Sequence, residues 1–484
     1  MKFLFVSPIS DVWNERKHVP LGLEYLAAVL LQAGHEVQMF DAAVEEGTLR
    51  DRLEREHFDV VGVTATTPLI YEAWQAALTA KERGAVTILG GTHPTLMPEE
   101  SLAQPQVDMI VRGEGEDTIL EIAALLNRVP GQTDGDGQLR FSKIPWEGVA
   151  GITFRSVEGE VVHTANRPLR RDLDSLPFPA HQIVDISKYT NMQPLTDGLD
   201  PDARAYTIIT SRGCPYNCIY CSKAITGRSW RPRTPENVLA EWRWLVRDLG
   251  ATEIGVTDDS MTTDLNRAKE ICRMLIDERL NTVPWITVHG IRAGDTDLEL
   301  LELMKEAGCK RVGFGVESGN QRILDSIKKK QTIAEVRTAF ANARKARLQT
   351  MGFFIFGLPG ETEQTMEDTI NLALELEPDL ANFMIAAPYP GTEMYEIVLR
   401  EGHLFSHNWN DFAIHDEKAR FEIGNVTAEL VERKWHEAYR RFYLRPSRIW
   451  RKATNPRFWR DVPAVITNFR RFFLSKGSGQ TRAN

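Results

Sequence analysis

The segment Ser211-Arg212-Gly213-Cys214-Pro215-Tyr216-Asn217-Cys218-Ile219-Tyr220-Cys221 places three thiols within eight positions. Thiolates are the usual protein ligands of iron–sulfur clusters. Three on one short loop can hold three irons and leave the fourth open. An open iron can chelate a small molecule, which a cluster closed by four cysteines cannot do. Zinc is the other chemistry to weigh, because Cys218-x-x-Cys221 alone has zinc spacing, but a structural zinc takes four ligands. The other two of the five cysteines, Cys272 and Cys309, lie in helical patterns, where buried structural thiols are expected. In a chain so poor in cysteine, this clustering points to metal and a reducing compartment rather than to disulfides.

A loop can present ligands only if regular elements hold it. From Tyr206 to Arg400 strand and helix patterns alternate, with strands expected at Tyr206–Ser211, Glu253–Asp258, Trp285–Gly290, Arg311–Glu317, Met351–Gly357 and Ala381–Ala387. Helices fill the gaps, as at Pro235–Leu249, where Thr234 can cap and Pro235 suits the first helical position. Six such βα units predict a partial (β/α)6 barrel with its functional residues at the strand C-termini. Asp258, Asp259, Arg292, Glu317, Ser318 and Gly357 stand at or just after those ends. Each alone is ordinary: an Asp pair often caps a helix, and Gly357-Leu358-Pro359-Gly360 suits a plain turn.

Residues 1–130 carry a separate βα series. Strands are expected at Lys2–Pro8, Glu36–Ala42, Asp59–Thr66, Ala85–Gly91 and Val107–Gly113, and helices at Leu21–Gln32, Leu69–Glu82 and Glu116–Leu126. Five strands each followed by a helix predict an N-terminal doubly wound parallel sheet, whose ligands bind beyond the strand C-termini. Thr64, Thr66, Gly90, Gly91, Thr92 and Glu114 occupy those ends. Small residues there let a large ligand approach the backbone, or they merely make tight turns. Residues 131–205 read as a linker with a small hairpin near Gly151–Arg155 and Val161–Thr164. Residues 206–402 form the barrel, and 403–484 a helical, basic and aromatic C-terminal region. The fold class is therefore α/β.

The composition, 42% apolar and 26% charged over 484 residues, is that of a globular protein with real cores. No apolar run is long enough to span a bilayer, and the N-terminus runs straight into a strand, so a cytoplasmic protein is expected. The net charge of −9 is unevenly spread, since residues 433–484 hold 14 Lys or Arg against 2 Asp or Glu. Tyr439–Pro446, Arg448–Lys452, Phe458–Arg460 and Phe469–Leu474 interleave cations with aromatics. Such a tail suits an amphipathic helix on an anionic membrane at the inner surface, or aromatics packed on the acidic body. Nucleic acid is a poor partner for so acidic a chain.

The Cys-x-x-x-Cys-x-x-Cys loop followed by six βα units resembles the radical S-adenosylmethionine (SAM) superfamily across residues 206–402. That resemblance implies a [4Fe–4S] cluster on Cys214, Cys218 and Cys221. SAM would bind its open iron and be cleaved to a 5′-deoxyadenosyl radical that abstracts hydrogen from carbon. It also implies that Tyr220 packs near adenine, that Asp258 and Asp259 meet the SAM amino group, and that Arg292, Glu317, Ser318 and Gly357 contact SAM. The acid of the Gly357–Thr362 turn is displaced by one residue from the family pattern.

Pro20-Leu21-Gly22-Leu23-Glu24-Tyr25-Leu26-Ala27, Gly90-Gly91-Thr92-His93-Pro94 and Arg112-Gly113-Glu114-Gly115-Glu116 further resemble the cobalamin-binding branch. That branch includes the anaerobic magnesium-protoporphyrin ester cyclase and many carbon methyltransferases. Cobalamin follows as an expected cofactor, contacted by Thr64, Thr66, Gly90, Gly91, Thr92 and Glu114. No Asp-x-His-x-x-Gly motif offers a histidine to cobalt. The resemblance implies methylation of an unactivated carbon on a lipid-like or polycyclic substrate, with radical ring closure as the alternative, and a flavodoxin- or ferredoxin-type reductant. A non-enzymatic metal-binding module is the contrasting class.

Overall fold

The computed structural model describes residues 1–10, 19–128, 144–190, 192, 202–412 and 417–446. The N-terminal strands β1 (Lys2–Ser7), β2 (Glu36–Asp41), β3 (Val60–Thr64), β4 (Val86–Gly90) and β5 (Met109–Val111) form a parallel sheet in the order β2-β1-β3-β4-β5. Their near-continuous apolar runs fit burial on both faces, as in Phe3, Leu4, Phe5 and Val6, each at most 2% exposed. The helices Leu21–Gln32 and Glu116–Asn127 cover one face, and Ile70–Lys81 packs against β3 and β4.

The expected hairpin is present as β6 (Ile152–Arg155) and β7 (Val161–His163), but it does not stand apart in a linker. β6 pairs antiparallel with β5, so the hairpin extends the sheet to seven strands. Ile152 and Phe154 explain this, because their buried side chains join the N-terminal core. The irregular stretch at Pro130–Gly137 lies outside the described residues.

The second sheet contains β8 (Ala205–Ile208), β11 (Glu253–Val256), β12 (Trp285–Thr287), β13 (Cys309–Glu317), β14 (Gln349–Phe356) and β15 (Leu380–Ile385). All five pairings are parallel, in the order β8-β11-β12-β13-β14-β15. Between β8 and β11 lie the short β9 (Ser211–Arg212) and β10 (Arg231–Pro232), paired antiparallel. Cys309 opens β13 rather than lying in a helix. The preceding helix ends at Glu306, and Gly308 at φ +91° turns the chain into the strand. Cys272 does lie in a helix, and both thiols are fully buried.

The C-terminal region is helical, as expected, with a short hairpin before its helix. β16 (Gly402–Leu404) and β17 (Phe421–Ile423) form a hairpin, and Trp409 and Phe412 insert into the N-terminal core. The helix Ala428–Tyr443 packs on β15 and seals its outer edge. The Tyr443 hydroxyl accepts from Ala381 N (3.0 Å) and donates to Ala381 O (2.8 Å). Tyr439 does the same at Phe383, at 3.3 and 3.2 Å, and Trp435 Nε1 donates to Phe383 O at 2.8 Å. An unpaired strand edge is thereby satisfied by side chains. The start of the aromatic tail thus packs on the barrel, while its segments Arg448–Lys452, Phe458–Arg460 and Phe469–Leu474 lie outside the described residues. No helix among the described residues is long and apolar enough to cross a membrane.

Candidate active site between two sheets

The pairing of β9 with β10 closes residues 213–230 at their base, and all three clustered cysteines ride on that excursion. Cys214 is buried, while Cys218 and Cys221 are half-buried. Gly213 permits the entry turn: at φ +82° a Cβ there would lie 2.2 Å from Ser229 O. Asp259 holds the same turn, accepting from Gly213 N at 3.0 Å and from the Thr226 hydroxyl at 2.5 Å. Asp258 is buried and accepts from Thr210 N and from the Thr210 and Ser211 hydroxyls, each at 2.6 Å. Both carboxylates therefore hold the approach to the cysteines.

Burial raises the Cys218 and Cys221 thiols above their ordinary range, opposed by the charges of Lys329 at Cys218 and Lys223 at Cys221. Lys329 is itself buried and bonds Glu317 at 2.6 Å. Glu317 takes φ +63° at a register shift between β13 and β14, and Gly315 leaves the space it folds into. A Cβ on Gly315 would meet Glu317 Oε1 at 2.6 Å. Burial first, then the Glu317 charge, pushes the Tyr220 phenol well up.

Arg292 stacks over the Tyr216 ring at 4.0 Å and donates to Asp295 Oδ1 (3.2 Å) and Lys329 O (3.0 Å), which brings it against the cysteine loop. Ser318 is fully buried against Thr369 (3.3 Å). Gly357 makes its turn at φ +89°, and its N–H and that of Leu358 donate to Glu361 Oε2 at 2.8 and 2.9 Å. Burial raises the Glu361 carboxyl to about 8, and its Oε1 has no partner among the described residues.

On the N-terminal sheet, Thr64 lies in register with Gly90 at the ends of β3 and β4. Gly91, at φ +97°, sits so close that a Cβ would reach Ala65 O at 2.7 Å and Thr64 Oγ1 at 2.9 Å. Thr92 opens the short helix Thr92–Leu96, and Thr66 is exposed beyond β3. His93 is buried against Trp409, its Nδ1 3.3 Å from the Thr67 hydroxyl, and burial lowers it to about 4. Glu114, by contrast, reaches out of its sheet to Arg212 and Arg231 on the cysteine loop.

The two halves meet at a cavity of about 230 Å³. Leu96 lines it from the N-terminal side, facing Cys218, Cys221, Lys223, Arg228 and Glu393. Sequence reasoning missed Leu96, Lys223 and Lys329. Lys223 stands two residues after Cys221 and was visible beside the motif, whereas nothing local marks Lys329 as the partner of Glu317.

These residues fit an iron–sulfur cluster: three thiols on one pinned loop, with two lysines beside them to offset the charge of thiolates. A structural zinc takes four ligands, and the loop itself offers three thiols. Beyond the C-terminal end of β5, the space where a Gly113 side chain would begin is open to 4 Å, so a ligand has room to approach the backbone there.

Residues 208–373 match the Radical SAM superfamily and residues 15–123 match the B12 binding domain. An uncharacterized methyltransferase of Pyrococcus horikoshii is 33% identical over 92% of this chain and 93% of its own length. The anaerobic magnesium-protoporphyrin IX monomethyl ester cyclase of Cereibacter sphaeroides is 30% identical over 98% of this chain and 74% of its own. Among solved structures, the radical SAM methyltransferase TsrM from Kitasatospora setae superposes with a TM-score of 0.68. It covers 92% of this chain and 90% of its own at 18% identity, a likeness that shows the fold alone.

Proposed function

Because the chain belongs to the radical SAM superfamily and carries a B12-binding domain, we propose that it methylates an unactivated carbon of a lipid-like or polycyclic small molecule. It is an enzyme whose cofactors are a [4Fe–4S] cluster, SAM and cobalamin. Those groups together supply one-electron sulfonium cleavage, hydrogen abstraction and a transferable methyl.

The protein's share is positioning and water exclusion. Cys214, Cys218 and Cys221 would ligate the cluster. Lys223 and Lys329 offset charge beside the thiols, and Asp258 and Asp259 hold the loop from beneath. Arg292, Glu317, Tyr220 and the Gly357 turn are proposed as the SAM wall, with Ser318 supporting it from behind. Thr64, Thr66, Gly90, Gly91 and Thr92 are proposed to face cobalamin. One observation carries this assignment: Leu96, just past the β4 end, and the cysteine loop line the same cavity. A methyl carrier held by the N-terminal sheet and a radical source held by the cysteine loop would then serve one substrate.

Anaerobic reconstitution should give ~4 iron per chain and a brown absorbance that Cys218→Ala removes. Reduction with SAM should release 5′-deoxyadenosine, and S-adenosylhomocysteine should accumulate with a substrate that accepts methyl. A colourless protein with one bound zinc would end this assignment. The relative from Cereibacter sphaeroides, a cyclase by name, supports ring closure as the second reading, which produces no S-adenosylhomocysteine. Comparing lipids and metabolites of wild-type and deletion cells separates them by a methylene or a ring. The electron donor is proposed to be a flavodoxin- or ferredoxin-type protein, and the site of action the cytoplasm or its membrane surface.

A further inference from the structure

Glu114 ties the N-terminal sheet to both stems of the cysteine loop. Its Oε1 accepts from Arg212 Nη1 at 3.1 Å and Arg231 Nη2 at 2.9 Å, and its Oε2 from Arg231 Nη1 at 2.8 Å and Arg170 N at 3.1 Å. Arg212 and Arg231 stand directly opposite each other in the β9–β10 pair, so one carboxylate grips the loop where it leaves the barrel and where it returns. Arg212 also donates to Glu116 at 2.6 Å and lies over the Tyr25 ring at 5.0 Å. The Arg231 guanidinium further donates to Thr226 O at 2.7 Å, and the Thr226 hydroxyl bonds Asp259. All four side chains of this ion cluster are at most 9% exposed.

The other end of the link is the C-terminal edge of β5. Gly113, one residue before Glu114, turns at φ +75° beside open space, and its N–H donates to Thr95 Oγ1 at 3.1 Å. Thr95 lies in the short helix after β4 that also delivers Leu96 to the shared cavity. A ligand seated on the ends of β4 and β5 therefore presses on the backbone that aims Glu114. Bidentate contacts between guanidinium and carboxylate transmit such a displacement because their geometry is fixed at two points.

We propose that Glu114 is a positioning residue that couples cobalamin binding on the N-terminal sheet to the geometry of the cysteine loop. The coupling rests on the assignment of cobalamin to that sheet. Linkage makes it reciprocal: an assembled cluster tightens cobalamin binding by the same factor by which cobalamin favours the cluster-ready loop.

The test is a hydroxocobalamin titration, read by quenching of tryptophan fluorescence, on the full chain with and without its reconstituted cluster. The wild-type protein should bind roughly tenfold more tightly with the cluster in place. Glu114→Gln, which keeps the shape and removes the charge, should bring that ratio to within about twofold of unity. Glu121→Gln, on a carboxylate that pairs with Arg167 at 2.6 Å away from the loop, should keep the wild-type ratio. If Glu114→Gln does not fold, Arg231→Lys keeps the charge, breaks the two-point grip and should lower the ratio likewise. A wild-type ratio in either folded variant, or equal affinities in the two wild-type states, would overturn the coupling alone. A wild-type protein that binds no cobalamin in either state would overturn the cobalamin assignment beneath it.

Discussion

Replacing Glu361 with glutamine tests whether a buried acid shapes the turn at the end of β14. Glu361 is 2% exposed, and burial raises its carboxyl from 4.5 to about 8 against two opposing backbone N–H bonds. The fold therefore prefers the protonated form. Its contribution to stability is complete below the unfolded value near 4.5 and is lost as pH climbs through the folded value near 8. At about 1.4 kcal/mol per unit, the part of that window between about pH 6 and about pH 8 is worth ~3 kcal/mol, with little further change by about pH 9. Glutamine keeps an oxygen for Gly357 N and Leu358 N but cannot ionise. Urea unfolding followed by tryptophan fluorescence should show the wild-type protein losing stability across this range, with the gap to Glu361→Gln widening by ~3 kcal/mol. Comparing the two proteins pairwise cancels the N-terminal sheet, which unfolds in both. Parallel pH curves would refute the reasoning, as would a variant that weakens faster than wild type on the alkaline side.

Gly213→Ala places a Cβ 2.2 Å from Ser229 O at φ +82°, so it should destabilise the loop by ~2–4 kcal/mol and lower iron uptake in anaerobic reconstitution. Lys329→Met strands the buried Glu317 carboxylate, and thermal unfolding should register a loss of ~3–5 kcal/mol, with Glu317→Gln in the same chain restoring part of it. Tyr443→Phe removes the hydroxyl that satisfies both backbone groups of Ala381, and the same assay should show ~1–2 kcal/mol. Wild-type stability in any of these would deny the contact its assigned role.

The strands and the metal loop were legible because their signals are local. Apolar runs located all eleven parallel strands of the described residues to within a few positions, and three thiols on one loop announce themselves by spacing. What failed to show was partnership across the chain. Glu114 reads as a ligand contact beside a glycine, yet its partner Arg231 is 117 residues away. Asp258 reads as a ligand at a strand end, and its bonds to Thr210 and Ser211, 48 and 47 residues earlier, do not show in the sequence. The β6–β7 hairpin looks like part of a linker until Phe154 is seen to fill the N-terminal core. Cys309 was misassigned because a helical period continued past the glycine that ends it.

The tyrosine pair along β15 has a consequence for how the chain is made. Ribosomes deliver residues in order, so the barrel's last strand emerges well before Tyr439 and Tyr443 are available to occupy its outward N–H and C=O groups. During that interval a nascent chain exposes a template for another nascent chain. Chaperone demand should therefore be concentrated in the few seconds needed to translate this C-terminal helix, and stop codons placed just ahead of it should yield inclusion bodies rather than a shortened enzyme.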